Sequence, residues 1–191
     1  MDLLGSVKDS VIWLLVDTVA ARARLRRCAE AKGIDSRRIM FADRCSREQH
    51  LARHACADLF LDTWPYGAHT TASDALKAGL PVITLAGRGF QGRVAASLLR
   101  ALSFEQMICG SSDEYIALAA RLASDPAALR HIEEKLRDDR PYEALSVANY
   151  RRYLETAFVH MHTACLNGQR PQPFTVSSEE RILMQCTTLD I

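Results

Sequence analysis

Residues 58–97 read DLFLDTWPYGAHTTASDALKAGLPVITLAGRGFQGRVAAS, and this stretch determines the fold. Two short apolar runs, at residues 59–61 and 82–85, are predicted strands. Each run is followed by a turn that contains glycine, and then by a helical pattern. The repeated order of strand, turn and helix predicts an α/β fold in which crossover helices join the strands of a parallel sheet. The polar turns then lie at the carboxyl ends of the strands, where such sheets bind ligands.

The rest of the chain extends the same pattern in both directions. The apolar run at residues 11–16 predicts a strand that is buried on both faces. A long helix is predicted over residues 147–166, and Asn167 and Gly168 terminate it. We expect one domain over residues 1–168 and a tail of uncertain order over residues 169–191. Further strands are predicted at residues 39–42 and 106–109, and further helices at residues 20–32 and 46–56 and from residues 111 and 126 onward. Ser46, with Gln49 three residues later, predicts a capping box.

The composition excludes several classes of protein. The chain has 191 residues, 48% of them hydrophobic, so it can form a substantial core, and its net charge of +1 gives no general attraction to nucleic acid or membrane. The longest apolar run is too short to cross a bilayer, and no signal peptide is recognisable. The six cysteines form no C-x-x-C pair, which favours reduced thiols in a cytoplasmic protein. We expect Cys56 and Cys109 to be core residues.

The turn before the second predicted helix has the features of an anion site. A helix that begins at Thr70 or Thr71 presents free backbone N–H groups and the positive end of its dipole. The two hydroxyls and His69 add further donors for phosphate oxygens. Asp74, one turn into the helix, lies on the same side and can accept hydrogen bonds from a sugar diol such as ribose. Phosphate donors followed by a diol acceptor are what a nucleotide requires.

Simpler interpretations of the same residues stay open at this point. Two threonines before a helix are also an ordinary N-cap. His50 and Arg53 lie three residues apart on one face of the preceding helix, where they could flank a base and a diphosphate or only face solvent. We expect His54 to lie on the surface. The fragment Gly87-Arg88-Gly89 is too short to be a dinucleotide fingerprint, which disfavours a Rossmann-type dehydrogenase.

Four segments carry a resemblance to a known family. The run LFLDTWPYGAHTTASDALKAGLPVITLAGRGFQGRVAASLL resembles the O-linked N-acetylglucosamine transferase / SPINDLY family of protein glycosyltransferases, most of all its bacterial members. The segments SVIWLLV, SREQHLARHACAD and YRRYLETAFVHMHTACLNGQRP are similar to the same family. The resemblance covers roughly residues 5 to 173, and its H-T-T-x-x-D core is specific.

The resemblance implies a fold and a substrate. Members of this family have two Rossmann-like lobes of the GT-B type, and this chain looks like most of the C-terminal lobe, which binds the UDP half of UDP-N-acetylglucosamine. It implies that a Ser or Thr hydroxyl of an acceptor protein attacks the sugar and that no metal or other cofactor is needed. Matched position by position, the implied contacts are Cys45 and Arg47 with the uracil, His50 and Arg53 beside the uridine, His69, Thr70 and Thr71 with the diphosphate, and Asp74 with the ribose.

Departures from the family pattern shape the remaining expectations. Arg47 stands where relatives often have lysine, which keeps the charge but changes its geometry. We expect the N-terminal lobe, with its proposed catalytic histidine, and the tetratricopeptide repeats to be missing from this chain. No catalytic residue is therefore assigned, and the chain alone is expected to be incomplete for catalysis. The alternative function is a non-catalytic module that binds only a nucleotide or a partner.

Overall fold

The computed structural model describes residues 1–138 and 146–176. The chain divides into two compact units, residues 1–139 and residues 140–191. In the described residues, the first unit contains five strands and seven α-helices, and the second contains one helix, α8. The strands are β1 (Ile12–Leu15), β2 (Ile39–Ala42), β3 (Phe60–Leu61), β4 (Val82–Leu85) and β5 (Ile108–Cys109). The helices are α1 (Asp2–Ser6), α2 (Val19–Glu30), α3 (Arg47–Arg53), α4 (Thr70–Lys77), α5 (Val94–Ala101), α6 (Ser112–Ser124), α7 (Pro126–Leu136) and α8 (Val147–Leu166).

All five predicted strands form, and every pair is parallel. β1 pairs with β2, so that Ile12 lies opposite Ile39, whereas β4 lies between β3 and β5 in a second sheet. Parallel strands flanked by helices confirm the predicted α/β class. The strands nevertheless divide between two sheets. The fifth strand is shorter than predicted because residues 105–107 form a turn of 3-10 helix before Ile108.

The three-stranded sheet forms the centre of the first unit. Val82, Ile83 and Thr84 of β4 have no exposed surface, as expected for the central strand of a parallel sheet. Leu76 of α4 and Leu99 of α5 are 1% exposed and belong to the same buried set. Cys109 of β5 is also buried, as predicted, and this desolvation raises the pKa of its thiol.

The prediction that the first strand is buried on both faces is wrong. Burial alternates along β1, and the side chains of Trp13 and Leu15 are 41% and 53% exposed. Ile12 and Leu14 face the other way and pack on a small core formed by Leu4, Ala29, Ile34 and Ile39. One face of β1 therefore packs on this core, and the opposite face is open.

Helix α3 begins as predicted but ends earlier. Ser46 and Gln49 form the predicted capping box: the Ser46 hydroxyl accepts from the Gln49 N–H, and the Gln49 side chain accepts from the Ser46 N–H. After Arg53 the chain tightens into a 3-10 turn over residues 54–56. This change of pitch reverses two predictions, since His54 is buried rather than at the surface, and Cys56 is exposed rather than in the core.

Helix α8 spans the twenty residues predicted for it. The Ser146 hydroxyl accepts from the Asn149 N–H at its start, and Gly168 follows its end at a φ of +66°. Residues 169–176 have no regular structure. The predicted tail continues over residues 177–191, which lie outside the described residues, and the boundary at residue 168 stays a prediction. No helix in the described residues combines the length and the hydropathy needed to cross a membrane.

Candidate functional site

The amino end of α4 is open at the surface. His69 is the N-cap, and its side chain makes no capping hydrogen bond. The first intrahelical bond runs from the Ser73 N–H to the His69 carbonyl, so the N–H groups of residues 70–72 have no intrahelical acceptor. Thr70 and Thr71 are exposed. Neither threonine is the cap, so the ordinary N-cap interpretation is wrong. Two of these free N–H groups belong to the exposed residues Thr70 and Thr71, whereas Ala72 has no exposed surface.

The His69 ring is held by the turns on either side of it. Its Nε2 lies 3.2 Å from the carbonyl oxygen of Gln91, and the ring stacks on Tyr66 with centroids 5.4 Å apart. Phe90 contacts the same ring edge-on, with centroids 5.7 Å apart. A neutral His69 that donates to Gln91 through Nε2 keeps Nδ1 as an acceptor.

Asp74 is the most enclosed of the predicted ligand residues. Its side chain is 12% exposed and lies 3.8 Å from the Arg47 guanidinium, whose side chain is 77% exposed. In the described residues this ion pair is the one interaction found for the carboxylate, which accepts no hydrogen bond there. A nearly buried carboxylate without a hydrogen-bond donor has unused acceptor capacity. The pair also links the first turn of α3 to α4.

The turn after β2 is braced by arginines. Arg53 donates to the carbonyl of Asp43 and contacts the Cys45 thiol, and its guanidinium lies over the Trp13 ring. Arg22 forms an ion pair with Asp43 at 2.6 Å. These contacts hold residues 43–45 against β1 and α2, and they leave Cys45 exposed.

His50 and Arg53 share one face of α3, as predicted, but they make different contacts. The His50 ring lies edge-on to the buried His54 ring, with centroids 4.9 Å apart. Arg53 points to the turn after β2 instead. Both side chains are half-buried rather than fully solvated. The structure therefore assigns Arg53 a role in holding the turn, and its predicted place beside the uridine stays a prediction.

The turns after β3 and β4 touch through their backbones. The Gly67 N–H donates to the carbonyl of Gln91 at 2.9 Å and so joins the two turns. Within the turn after β4, the Gly87 N–H donates to the carbonyl of Gly92 at 2.8 Å. A Cβ on Gly92 would lie 3.0 Å from the Pro65 carbonyl oxygen and 3.1 Å from the Gly87 Cα. Glycine is thus required for the close approach of these two turns.

One residue of the site was missed by the sequence analysis. The Asp62 carboxylate, at the end of β3, is buried and accepts hydrogen bonds from Thr63, Ala68 and Thr84. The signal was present in the sequence, because an aspartate directly after a buried strand and before a Pro/Gly turn is typical of a residue that bonds turn amides. Its partners, however, lie up to 22 residues away and cannot be recognised from spacing.

Three turns therefore converge: the first is residues 44–47 after β2, the second is residues 63–69 after β3, and the third is residues 87–92 after β4. The ion pair between Arg47 and Asp74 joins the first to the second, and the Gln91 carbonyl joins the second to the third. In residues 1–138 and 146–176, no group of three or more His, Cys, Asp or Glu side chains is placed to hold a metal ion. What converges instead is a set of amides, hydroxyls, cations and one carboxylate with unused capacity.

Comparison with known proteins shows to which family a chain with this arrangement belongs. The model of glycosyl transferase family 41 matches residues 1–156. The chain belongs to this family. The resemblance found in the sequence is confirmed, because curated relatives that match most of the chain are N-acetylglucosaminyltransferases, SPINDLY proteins among them.

Two relatives and one solved structure show the extent of the similarity. A protein of Arabidopsis thaliana named as a probable UDP-N-acetylglucosamine–peptide N-acetylglucosaminyltransferase, SEC, is 34% identical over 177 residues, which are 92% of this chain and 18% of that protein. The enzyme of the same activity from Caenorhabditis elegans is 32% identical over 70% of this chain and 12% of its own length. A mutant O-GlcNAc transferase of Thermobaculum terrenum superposes with a TM-score of 0.78 at 29% identity, over 87% of this chain and 33% of that one.

The present chain thus spans less than a fifth of the length of each of these two curated relatives. The structural match to a glycosyltransferase confirms the expected fold class. The ligand contacts implied for individual residues, from Cys45 to Asp74, stay predictions.

Proposed function

We propose that this family 41 chain binds the UDP portion of UDP-N-acetylglucosamine, as part of an enzyme that transfers the sugar to Ser or Thr hydroxyls of proteins. The observation that carries the proposal is the pairing, on one helix, of free N–H groups at Thr70 and Thr71 with the enclosed carboxylate of Asp74. Named relatives that use this donor support the same substrate. The proposal concerns binding of the sugar donor. The acceptor is proposed only as a class, namely proteins that present a Ser or Thr hydroxyl.

The amino end of α4 suits a diphosphate on physical grounds. Free N–H groups at a helix start point at an anion along the positive end of the helix dipole. The hydroxyls of Thr70 and Thr71 are exposed beside them and can donate further hydrogen bonds. Arg47 adds an exposed positive charge at the rim, since 77% of its side chain is accessible to solvent. In our proposal these groups stabilise the charge that UDP gains as it leaves, with no metal ion taking part.

Asp74 suits the ribose. A carboxylate accepts hydrogen bonds from both hydroxyls of a cis diol, and burial strengthens such bonds because water competes poorly. Among residues 1–138 and 146–176, the carboxylate is balanced only by Arg47 at 3.8 Å, which is longer than a hydrogen bond. A ribose can therefore take its place on Asp74 without breaking a strong contact.

Calorimetric titration with UDP tests the proposal. We expect the Asp74→Ala variant to bind UDP about 10- to 100-fold more weakly, because a hydrogen bond to a charged group contributes about 1.5–3 kcal/mol. Asp113, an exposed acid in the first turn of α6, provides the matched control, and Asp113→Ala should bind as the wild type does. Arg47→Ala separates loss of the ion pair from loss of the acceptor. Addition of EDTA should not change the wild-type affinity.

A second titration assigns Asp74 to the ribose. Removing the 2′-hydroxyl from UDP should weaken binding to the wild type but not to Asp74→Ala, so that the two losses are not additive. Equal binding of UDP to the wild type and Asp74→Ala would remove Asp74 from the site. No binding of UDP to the wild type would refute the proposed function. Binding without transfer from UDP-N-acetylglucosamine, in a chain that includes the rest of a family 41 enzyme, would favour the non-catalytic module.

A further inference from the structure

Asp62 lies between the three-stranded sheet β3-β4-β5, called here the buried sheet, and the proposed diphosphate site. Asp62 is 7% exposed, and its two carboxylate oxygens bind different parts of the chain. Oδ1 accepts from the N–H of Thr63 at 2.8 Å and from the N–H of Ala68 at 2.6 Å. Oδ2 accepts from the Thr84 hydroxyl at 2.6 Å, and Thr84 has no exposed surface. One side chain thus connects both ends of the turn over residues 63–68 to the central strand.

The three donors to Asp62 are all neutral. In the described part of the chain no lysine, arginine or histidine forms an ion pair with this carboxylate, although it is buried close to a site proposed for an anion. Its charge is balanced by two backbone N–H groups and one hydroxyl. A buried carboxylate balanced in this way is costly to keep unless the geometry that it fixes is required.

The turn that Asp62 holds ends one residue before the N-cap of α4. Ala68, whose N–H is bound to Oδ1, directly precedes His69, the N-cap of α4. Gly67 packs so closely on the carboxylate that a Cβ there would lie 3.1 Å from Oδ2. The same glycine donates to the Gln91 carbonyl, which also contacts the His69 ring. The Asp62 carboxylate therefore determines where the chain enters α4 and how its free N–H groups are aimed.

We propose that Asp62, supported by Thr84, is a positioning residue that preorganises the amino end of α4 for the diphosphate. The inference rests on the proposed function, because it takes the donors of Thr70 and Thr71 as the phosphate ligands. Without the carboxylate the turn is no longer tied to β3 and β4, so the N–H groups must be ordered when the ligand binds, which lowers affinity. The loss should fall on the phosphate groups rather than on the uridine.

The experiment compares UDP, UMP and uridine on variants of residue 62. We expect Asp62→Ala to weaken UDP binding about 10-fold or more and to leave uridine binding within about twofold, so that the preference for the diphosphate shrinks. Asp62→Asn should restore UDP affinity to within about threefold, because its amide oxygen can accept both N–H bonds and its NH₂ group can donate to the Thr84 hydroxyl. In Asp62→Ala, hydrogen exchange of the amides of residues 68–72 should become faster.

Matched variants separate positioning from a general loss of stability. Leu122→Ala removes a side chain of α6 that is 3% exposed, and it should lower the unfolding midpoint while leaving UDP affinity unchanged. If Asp62→Ala does not fold, Thr84→Val removes only the hydroxyl bond to Oδ2, and Thr84→Ser should recover the lost affinity.

The outcomes are distinguishable. Failure of the wild type to bind UDP would refute the proposed function itself. If the wild type binds, an Asp62→Ala or Thr84→Val variant with wild-type affinity would overturn the positioning role. Equal losses for UDP, UMP and uridine, matched by Leu122→Ala, would overturn it as well, because they would reflect stability alone.

Discussion

The two sheets are built from similar sequences and differ in burial. The run VIWLLV at residues 11–16 is more apolar than VITL at residues 82–85. Nevertheless the first three residues of β4, Val82 to Thr84, have no exposed surface, whereas Trp13 and Leu15 of β1 and Met40 of β2 are 41–53% exposed. Apolar composition therefore shows that a segment is a strand but not how many of its faces are covered.

The difference follows the position of the candidate site. The turns after β3 and β4 are fixed on the buried sheet through Asp62, Thr84 and the paired glycines, and they carry the open end of α4. The two-stranded sheet contributes α3, whose Arg47 reaches Asp74 through a longer contact at an exposed rim. Sites that need geometry held to fractions of an ångström are best placed on rigid elements. The more buried sheet therefore holds the proposed phosphate donors, and the open sheet holds the more exposed cation.

The test with the largest expected effect on this comparison shortens one side chain in each sheet. Ile83→Ala should lower the free energy of unfolding by about 3–4 kcal/mol, because Ile83 has no exposed surface and the shorter side chain leaves a cavity in the core. Leu15→Ala should cost less than about 1 kcal/mol, because 53% of the side chain is already in water. Urea denaturation measures both. Equal losses would mean that the open face of β1 is covered in solution.

A second test adds a methyl group to one glycine in each region. Gly92→Ala should cost about 1–3 kcal/mol, because the new Cβ would lie 3.0 Å from a backbone oxygen of the neighbouring turn. Gly5→Ala in α1 has nothing within 4 Å of the new Cβ and should stabilise the chain by about 0.5–1 kcal/mol. Thermal unfolding should show shifts of opposite sign. A neutral Gly92→Ala would show that the two turns are not in close contact.

The smallest expected effect concerns Tyr115, which anchors the buried sheet from α6. Its hydroxyl donates to the Asp62 carbonyl oxygen at 2.9 Å, and burial raises the pKa of the phenol well above its ordinary value of 10.0. Tyr115→Phe should cost about 1 kcal/mol at neutral pH.

The raised pKa of Tyr115 also predicts the direction of a pH effect. The unfolded chain loses this proton near pH 10 and the folded chain only at higher pH, so the stabilisation is complete below pH 10 and is lost as the pH rises further. In an alkaline titration followed by tyrosine absorbance, the wild type should have one phenol that ionises at unusually high pH. This phenol should be missing from Tyr115→Phe. An unchanged alkaline titration would place Tyr115 in water and weaken the contrast between the sheets.

Local structure was predicted well where it depends on neighbouring residues. The capping box at Ser46, the helix start at Pro126 and the full length of α8 follow from side chains within four residues of each other. The amino end of α4 and the place of Asp74 one turn later follow from the spacing of the H-T-T-x-x-D motif alone. His54 and Cys56 were predicted wrongly because a change from α to 3-10 pitch rotates side chains without a clear signal in the sequence.

The sequence by itself determined the α/β class, the order of the elements, the membership of family 41 and the residues at the amino end of α4, because periodicity, caps and motifs are local properties. Only the tertiary structure decided which strands share a sheet, that one face of β1 is open, that Arg47 meets Asp74, and that Asp62 binds Ala68 and Thr84. The reason is physical: burial and ion pairing depend on which distant segments approach each other, and no spacing along the chain encodes that distance.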